Sequence, residues 1–335
     1  MKLVTVTPAG RRRYLEILVR HLLRQRDHVA QHQFWLNTTD QDDIAWMEAT
    51  CRRHPDFFEL VRRPLDFNMD VGPRIWQFAQ DCVDPDTVYV RMDDDICYIA
   101  DDALKNIFRF RVEHPEPLLV LGNIVNNAVC THFHQLAGLL PRRWGDVRRD
   151  CMDEIGWRQG LFASRVHRKF LHDVRAGRTD AWKQVPMDFG GVDRFSINVI
   201  CWSGADFRDI PEITDPTILE EPFLTEELPR RAGRPNAICP DALFAHYAFW
   251  TQRTYVESTS PFLLRQYREL AETGLPATGA SPTGTRLRHD IEHGLRDFAW
   301  RIGKPVRKMR RHFAKRIERR SSWETTERAQ LKRAA

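Results

Sequence analysis

The sequence predicts an α/β protein: a three-layer sandwich around a mostly parallel sheet, followed by a basic helical tail. Three observations carry that expectation. Short apolar, β-branched runs alternate with stretches of helical period through residues 1–125. Clusters such as Asp84-Pro85-Asp86 punctuate the alternation as turns. Positive charge gathers at the C-terminal end, where residues 286–335 hold 16 lysines and arginines against 6 acids.

The elements follow in order. Leu3–Thr7 reads as a first strand. Tyr14, Leu15, Ile17, Leu18 and Leu22 recur at helical spacing, which predicts a helix over Arg11–Gln25. Gln33–Leu36 is a second strand, and Asn37-Thr38-Thr39-Asp40 can cap a helix over Asp42–Arg53. A short strand at Phe57–Val61, a helix at Gly72–Cys82, a strand at Thr87–Met92, a helix at Asp101–Val112 and a strand at Pro117–Leu121 complete the alternation. The second half is less regular. His132-Phe133-His134 reads as extended, with two imidazoles on one side. Phe195–Trp202 reads as a strand, Ile218–Arg231 as acidic and then helical, and Ala242–Trp250 as an apolar segment around one histidine. Residues 274–285 form a Gly, Pro, Thr and Ser-rich linker, and 286–335 a basic helical or partly disordered tail. The expected organisation is a main domain over 1–273, with a nucleotide-sugar-binding half at 1–125 and an acceptor half at 126–273.

Composition narrows the class. Hydrophobic residues make up 42% of 335, enough for a sizeable core. The seven cysteines are scattered with no Cys-x-x-Cys pair, which argues against a disulfide framework or a structural zinc site. No apolar run is long enough to span a bilayer, and Arg11-Arg12-Arg13 falls where a leader's apolar region would continue. A cytoplasmic protein is expected, peripheral at the inner face of the membrane if the tail binds anionic lipid.

The chemistry concentrates in Asp93-Asp94-Asp95. The apolar run Val88-Tyr89-Val90 precedes it, and ligands of open α/β sheets bind at such strand ends. Alternate residues of an extended chain face one way, so Asp93 and Asp95 share a side. Two carboxylates about 4 Å apart repel by roughly 1 kcal/mol in water and several-fold more in a drier cleft. A raised pKa, a basic partner or a divalent cation must relieve that repulsion. Hard oxygen ligands suit Mn²⁺ or Mg²⁺ shared with phosphates. The competing reading is an acidic loop that caps the following helix.

At these residues the sequence resembles the glycosyltransferases of the GT-A fold, in motif order over approximately residues 3–256. In that family an Asp-x-Asp motif follows a strand of the nucleotide-binding half and holds the metal, and Asp93-Asp94-Asp95 matches it. The resemblance implies Asp93 and Asp95 as metal ligands, with Asp93 and Asp94 at the donor. It implies His246, in its apolar run, as a further metal ligand. Thr7 and Pro8 of Thr5-Val6-Thr7-Pro8 correspond to a nucleotide-contacting segment, and Asp40 to a contact with base or ribose. Gly72-Pro73-Arg74 resembles the helix beside the donor, which puts Arg74 near phosphate. Glu220-Glu221-Pro222-Phe223-Leu224 resembles the acidic pair that supplies the acceptor base in inverting members, with Glu221 as the base and Glu220 beside it. Asp188-Phe189-Gly190-Gly191 and Trp202-Ser203-Gly204 resemble acceptor-side elements. The family often has Asp at the base position, and the Gln-x-x-Arg-Trp element of processive members is absent, which puts processivity in doubt.

The implied reaction is transfer of a hexosyl group from a nucleotide-diphosphate sugar to a carbohydrate or other acceptor hydroxyl, with inversion. A Mg²⁺-dependent nucleotidyltransferase is the rival enzyme, for which Pro8-Ala9-Gly10-Arg11 is only a faint phosphate loop. A non-catalytic nucleotide- or carbohydrate-binding protein is the other alternative. The tail, with Arg307, Lys308, Arg310 and Arg311 among Trp300, Val306, Met309 and Phe313, suits an anionic membrane surface. Nucleic acid is not the expected partner.

Overall fold

Buried, β-branched strands need cover on both faces, and the computed structural model supplies it with helices. The structure describes residues 1–64, 71–187, 194–208, 210 and 219–274; the side chains of 71–74 fall outside that description. The strands are β1 (Lys2–Ala9), β2 (Gln31–Leu36), β3 (Phe58–Val61), β4 (Thr87–Met92), β5 (Ile96–Ile99), β6 (Val120–Val125), β7 (Val199–Ser203) and β8 (Ala237–His246). The helices are α1 (Arg12–Arg24), α2 (Gln41–Arg53), α3 (Val71–Ala79), α4 (Ala103–Glu113), α5 (Ala128–Leu136), α6 (Gly160–Arg175), α7 (Gly204–Phe207), α8 (Glu220–Pro222), α9 (Leu228–Ala232), α10 (Trp250–Thr259) and α11 (Phe262–Thr273). A π-helical turn, Phe223–Glu227, joins α8 to α9.

The eight strands form one sheet in the order β3-β2-β1-β4-β7-β6-β8-β5. β1, β2, β3 and β4 run parallel, as do β6 and β8. β7 is antiparallel to β4 and to β6, and β5 is antiparallel to β8. All residues of β4 and β6 are buried, on both faces of the pleat, so both faces of the sheet are covered. Helix α1 packs against β5 and α11, α4 against β8, and α6 against α10. This is the expected α/β fold. Tyr14, Leu15, Leu18 and Leu22 are the buried stripe of α1, as their spacing predicts.

Met1–Thr278 forms one compact unit. The second, Gly279–Ala335, lies outside the described residues, and with it the tail. None of the described helices is long and apolar enough to cross a membrane. All seven cysteines are free, and six are buried.

Two expectations are corrected. The acidic triplet leads into a strand, β5, rather than into a loop before the next helix. His132-Phe133-His134 is helical, not extended: the Asn127 side chain accepts from the backbone N–H groups of Val129 and Cys130 and starts α5 there. Its imidazoles therefore do not share a side. His132 Nδ1 meets the Val147 carbonyl, while His134 Nε2 meets Asn123 Oδ1. The apolar segment Ala242–Trp250 is buried up to Phe249, as expected, and comprises the end of β8, three connecting residues and the first residue of α10.

Candidate functional site

Parallel strands bring their C-terminal ends to one margin of the sheet, and chemistry gathers there. β1 ends just before Gly10 and Arg11, β4 before Asp93-Asp94-Asp95, β6 before Asn126 and Asn127, and β8 at His246. The antiparallel β7 starts at the same margin, preceded by Asn198. The backbone N–H of Asp93 donates to the Asn198 carbonyl at 2.9 Å, and that of Tyr247 donates to the Asp95 carbonyl at 2.9 Å. These two bonds fix the triplet between β7 and β8.

Asp93, Asp95 and His246 come together, with one ligand atom from each lying within 4.8 Å of the others. Asp94 turns the other way. Its carboxylate accepts from Arg11 Nε at 2.9 Å and from the Gly10 N–H at 3.2 Å. The turn at Gly10 is tight, since a Cβ there would sit 2.9 Å from the Asn37 carbonyl oxygen. Asp95 is 1% exposed and accepts from Arg253 Nη2 at 2.9 Å, with Arg11 Nη2 at 3.3 Å. Asp93 is the open member, with 26% of its side chain exposed and Asn198 Nδ2 donating to it at 3.0 Å.

The electrostatics differ within the triplet. Burial pushes the Asp93 and Asp94 carboxyls above their ordinary value, against the pull of Arg91 and Arg11 respectively. Burial works against ionisation of Asp95 too, but Arg11, His246 and Arg253 outweigh it and hold that carboxyl well below the usual range. Asp93 is thus a carboxylate short of positive charge, beside one that is well supplied.

The donor set fits a cation. His246 Nδ1 lies 3.4 Å from the Asn126 carbonyl oxygen, and Nε2 lies 3.4 Å from Asp95 Oδ1. A proton between Nε2 and Asp95 satisfies both atoms, and a metal ion can take that proton's place. Two carboxylates and an imidazole are ligands that Mn²⁺ accepts readily and Mg²⁺ less so.

The glutamates separate into different environments. Glu220 is buried and paired with the equally buried Arg91. Glu221 keeps 26% of its side chain exposed and meets Arg194 at 2.8 Å and the Cys151 thiol at 3.8 Å. Burial pushes Glu221 up, opposed by Arg194 and reinforced by Asp93. Glu220 is also pushed up by burial, against Arg91.

The remaining expected residues are dispersed. Thr7 and Pro8 are buried in β1, and the Thr7 hydroxyl has no hydrogen-bond partner. Asp40 is exposed, and its carboxylate caps α2 by accepting from the N–H groups of Asp42 and Asp43 at 2.9 and 3.2 Å. The backbone of Arg74 lies in α3, while its side chain and all of Asp188-Phe189-Gly190-Gly191 lie outside the described residues. Trp202 is core, stacked on Tyr89 and Phe207, because its strand is buried on both faces.

Sequence reasoning missed four participants, Asn126, Asn127, Asn198 and Arg253, and noticed Arg11 only as the end of a faint phosphate loop. Asn126 sits at φ 64°, the one non-glycine residue in the left-handed region among the described residues. Its side-chain NH₂ is within 3.0–3.3 Å of Gln252 Oε1 and the carbonyls of His246 and Tyr247. Asn127 Nδ2 donates to Asn198 Oδ1 at 3.1 Å. The Asn-Asn pair directly after an apolar strand was the available signal, since asparagine tolerates this backbone region and caps helices.

Fold and site together define an α/β protein with an acidic, cation-competent centre at its strand ends. No family model matches the sequence, and no curated protein matches it. Among solved structures, the chain is similar to a CMP:2-keto-3-deoxy-manno-octonic acid synthetase complexed with CTP, at 12% identity and a TM-score of 0.41, over 79% of this chain and 100% of that one. It is also similar to a 4-diphosphocytidyl-2C-methyl-D-erythritol synthase from Anaerococcus prevotii, at 14% identity and a TM-score of 0.28, over 36% of this chain. The chain spans about half, 54%, of the length of that synthase. Similarity this distant transfers no residue roles.

Proposed function

We propose that the protein is a divalent-cation-dependent transferase that moves a glycosyl group from a nucleotide-diphosphate sugar to an acceptor hydroxyl. The observation that carries this reading is the meeting of Asp93, Asp95 and His246, delivered by two different strands to one margin. Asp93, Asp95 and His246 would hold Mn²⁺ or Mg²⁺. When bound, such an ion acts as a Lewis acid toward a departing diphosphate. Arg11 and Arg253 keep Asp95 ionised and ready as a ligand. Asp93, short of positive charge and partly open, is the ligand with most to gain.

Glu221 is the acceptor base in this reading. It is the open member of its pair, and a raised pKa brings a carboxylate closer to the hydroxyl proton it must accept. Arg194 holds it in place and keeps it ionised. Glu220 is a positioning residue for Arg91, buried behind β4. The donor side would lie over 1–125 and the acceptor side over 126–273. A single displacement with inversion follows from a carboxylate that takes a proton rather than forming a bond to the sugar.

Nucleotidyl transfer is the second reading, and one observation favours it. A cavity of about 420 Å³ opens at the start of α1, lined by Arg11, Arg12, Arg13, Glu16 and Asp43, next to Asp94. A basic helix start is a place for polyphosphate. Products separate the two readings, since glycosyl transfer releases a nucleoside diphosphate and nucleotidyl transfer releases pyrophosphate.

The direct test is thermal stabilisation by a panel of nucleotide-sugars with and without Mn²⁺. A preferred donor should raise the melting temperature by mass action, and only with the cation present. Stabilisation independent of Mn²⁺ and unaffected by Asp93→Ala and Asp95→Ala would instead identify a non-catalytic binding protein.

A further inference from the structure

Trp250 is the only aromatic among the large hydrophobic residues left exposed in the described structure, at 72%. A single exposed apolar side chain is ordinary. This one is not single. Its indole meets the half-buried Trp157 edge-on at 5.7 Å between ring centroids. Trp157 in turn lies 6.3 Å from Phe249, and Phe249 packs edge-on against the His246 imidazole at 4.6 Å. An unbroken run of rings therefore leads from the candidate cation site to an open indole.

The indole is carried on a fixed backbone. Gln252 donates to the Gly156 carbonyl at 2.9 Å, while its side-chain oxygen accepts from Phe249 N–H at 3.3 Å and Asn126 Nδ2 at 3.0 Å. The Thr251 hydroxyl donates to the Trp157 carbonyl. The amide cluster that holds His246 thus also fixes the first turn of α10. Along that helix Trp250, Arg253 and Glu257 fall at i, i+3 and i+7, one stripe. Arg253 reaches Asp95 and Glu257 reaches Arg13, and Trp250, one turn before Arg253, is the exposed end of the stripe.

We propose that Trp250, backed by Trp157, is a stacking platform for a pyranose ring of a saccharide acceptor. An indole face matches the C–H face of a sugar, and a platform already ordered loses little entropy on binding. Its place sides with the acceptor: the segment that carries Trp157 also carries Cys151, whose thiol meets Glu221, the proposed acceptor base, at 3.8 Å. The inference rests on the transferase reading for its function, but not for its measurement.

The test uses full-length wild type, Trp250→Ala and Trp250→Phe. Each is presented with an array of methyl hexopyranosides and defined di- and trisaccharides, and the best-retained saccharide is titrated by calorimetry. Mn²⁺ affinity is measured on the same three proteins. Wild type should bind a saccharide, Trp250→Ala should bind it about tenfold more weakly, and Trp250→Phe should retain most of the affinity. Mn²⁺ affinity should be equal in all three. Equal saccharide affinity in wild type and Trp250→Ala overturns the platform, as does a wild type that retains no saccharide. Failure of wild type to bind Mn²⁺ strikes the cation reading alone, because the saccharide arm is read separately.

Discussion

The two banks of the candidate site are built on opposite principles. On the β1–β4 side, and on the helix starts that face it, the polar groups are charged: Asp93, Asp94, Asp95, Glu220 and Glu221 against Arg11, Arg91, Arg194 and Arg253. On the β6–β8 side they are neutral: Asn126, Asn127, Asn198 and Gln252, hydrogen-bonded to one another and to backbone carbonyls. Ion pairs between mobile side chains can exchange partners when a cation or phosphate arrives. Amides tied to backbone carbonyls cannot exchange without leaving buried groups unsatisfied, at about 1–3 kcal/mol each. The charged bank is therefore the part that responds to ligands, and the amide bank is the frame that aims His246.

The sharpest contrast lies within the charged bank, between neighbouring glutamates. Glu221→Gln should lower kcat by about 10²- to 10⁴-fold, the usual contribution of a positioned base, with little change in melting temperature. Glu220→Gln should do the reverse, because it strands the buried Arg91. Steady-state kinetics beside thermal denaturation of both variants decides it. A Glu221→Gln enzyme with wild-type kcat removes the base assignment.

Asp95 meets the amide-framed His246, as Asp93 meets Asn198, and there the banks touch. Asp95→Ala should cost about 1–3 kcal/mol of stability, since the half-buried Arg11 and Arg253 lose a charged acceptor but keep Asp94 and the Ala248 carbonyl respectively. It should also abolish measurable Mn²⁺ binding. Asp94→Ala should lose the Arg11 contact yet keep the cation, because Asp94 turns away from His246. Urea denaturation and calorimetry with Mn²⁺ check the pair, and equal loss of cation in both would contradict the division of the triplet.

Acid should act on frame and charged bank through different groups. His21, His32 and His134 are pushed down to about 3, and His167 to about 4, by burial. Their folded values lie below the unfolded 6.5, so the unfolded chain binds more protons between those limits. Stability is complete above pH 6.5 and falls as pH drops through the window, by about 2 kcal/mol for each histidine at pH 5. Asp95 is held low and adds nothing to that loss until below its unfolded value near 3.9. Melting temperatures between pH 7.5 and 4.5 test this, and His134→Gln should flatten the slope. A profile level down to pH 5 would show that the buried imidazoles do not control acid stability.

The strand–helix alternation of the first half was legible because each element carries its own period: the stripe of α1 and the wholly apolar β4 are local facts. Asp93 and Asp95 do come together, but through a turn closed by the Ile96 N–H on the Asp93 carbonyl rather than through the pleat of an extended chain. His246 drew notice by its apolar surroundings. What the sequence did not reveal depends on distant partners. Arg11 opens a helix without a capping side chain, a position explained only by Asp94, which lies 83 residues away. Trp202 and Trp250 are indistinguishable as letters, yet one lies on a strand covered on both faces and the other on an open helix start. The helical state of His132 to His134 is set by the Asn127 cap, a signal that was present and not used.

Asn126 sharpens the comparison most finely, because it has no charge and is not itself a ligand. Its backbone carbonyl faces His246 Nδ1, and its side-chain NH₂ lies against the carbonyls of His246 and Tyr247. Both contacts are made from a left-handed backbone, at φ 64°. Asn126→Gly keeps that backbone conformation at no steric cost and deletes only the amide. The cation should then bind about ten- to a hundredfold more weakly, the usual loss when a partner that orients a ligand is removed. Asn126→Asp should be worse in stability, since a carboxylate would face three acceptors. Mn²⁺ titration calorimetry of the glycine variant across pH is the deciding measurement. A frame that aims the imidazole predicts weaker binding at every pH, whereas wild-type affinity would mean that the charged bank holds the cation unaided.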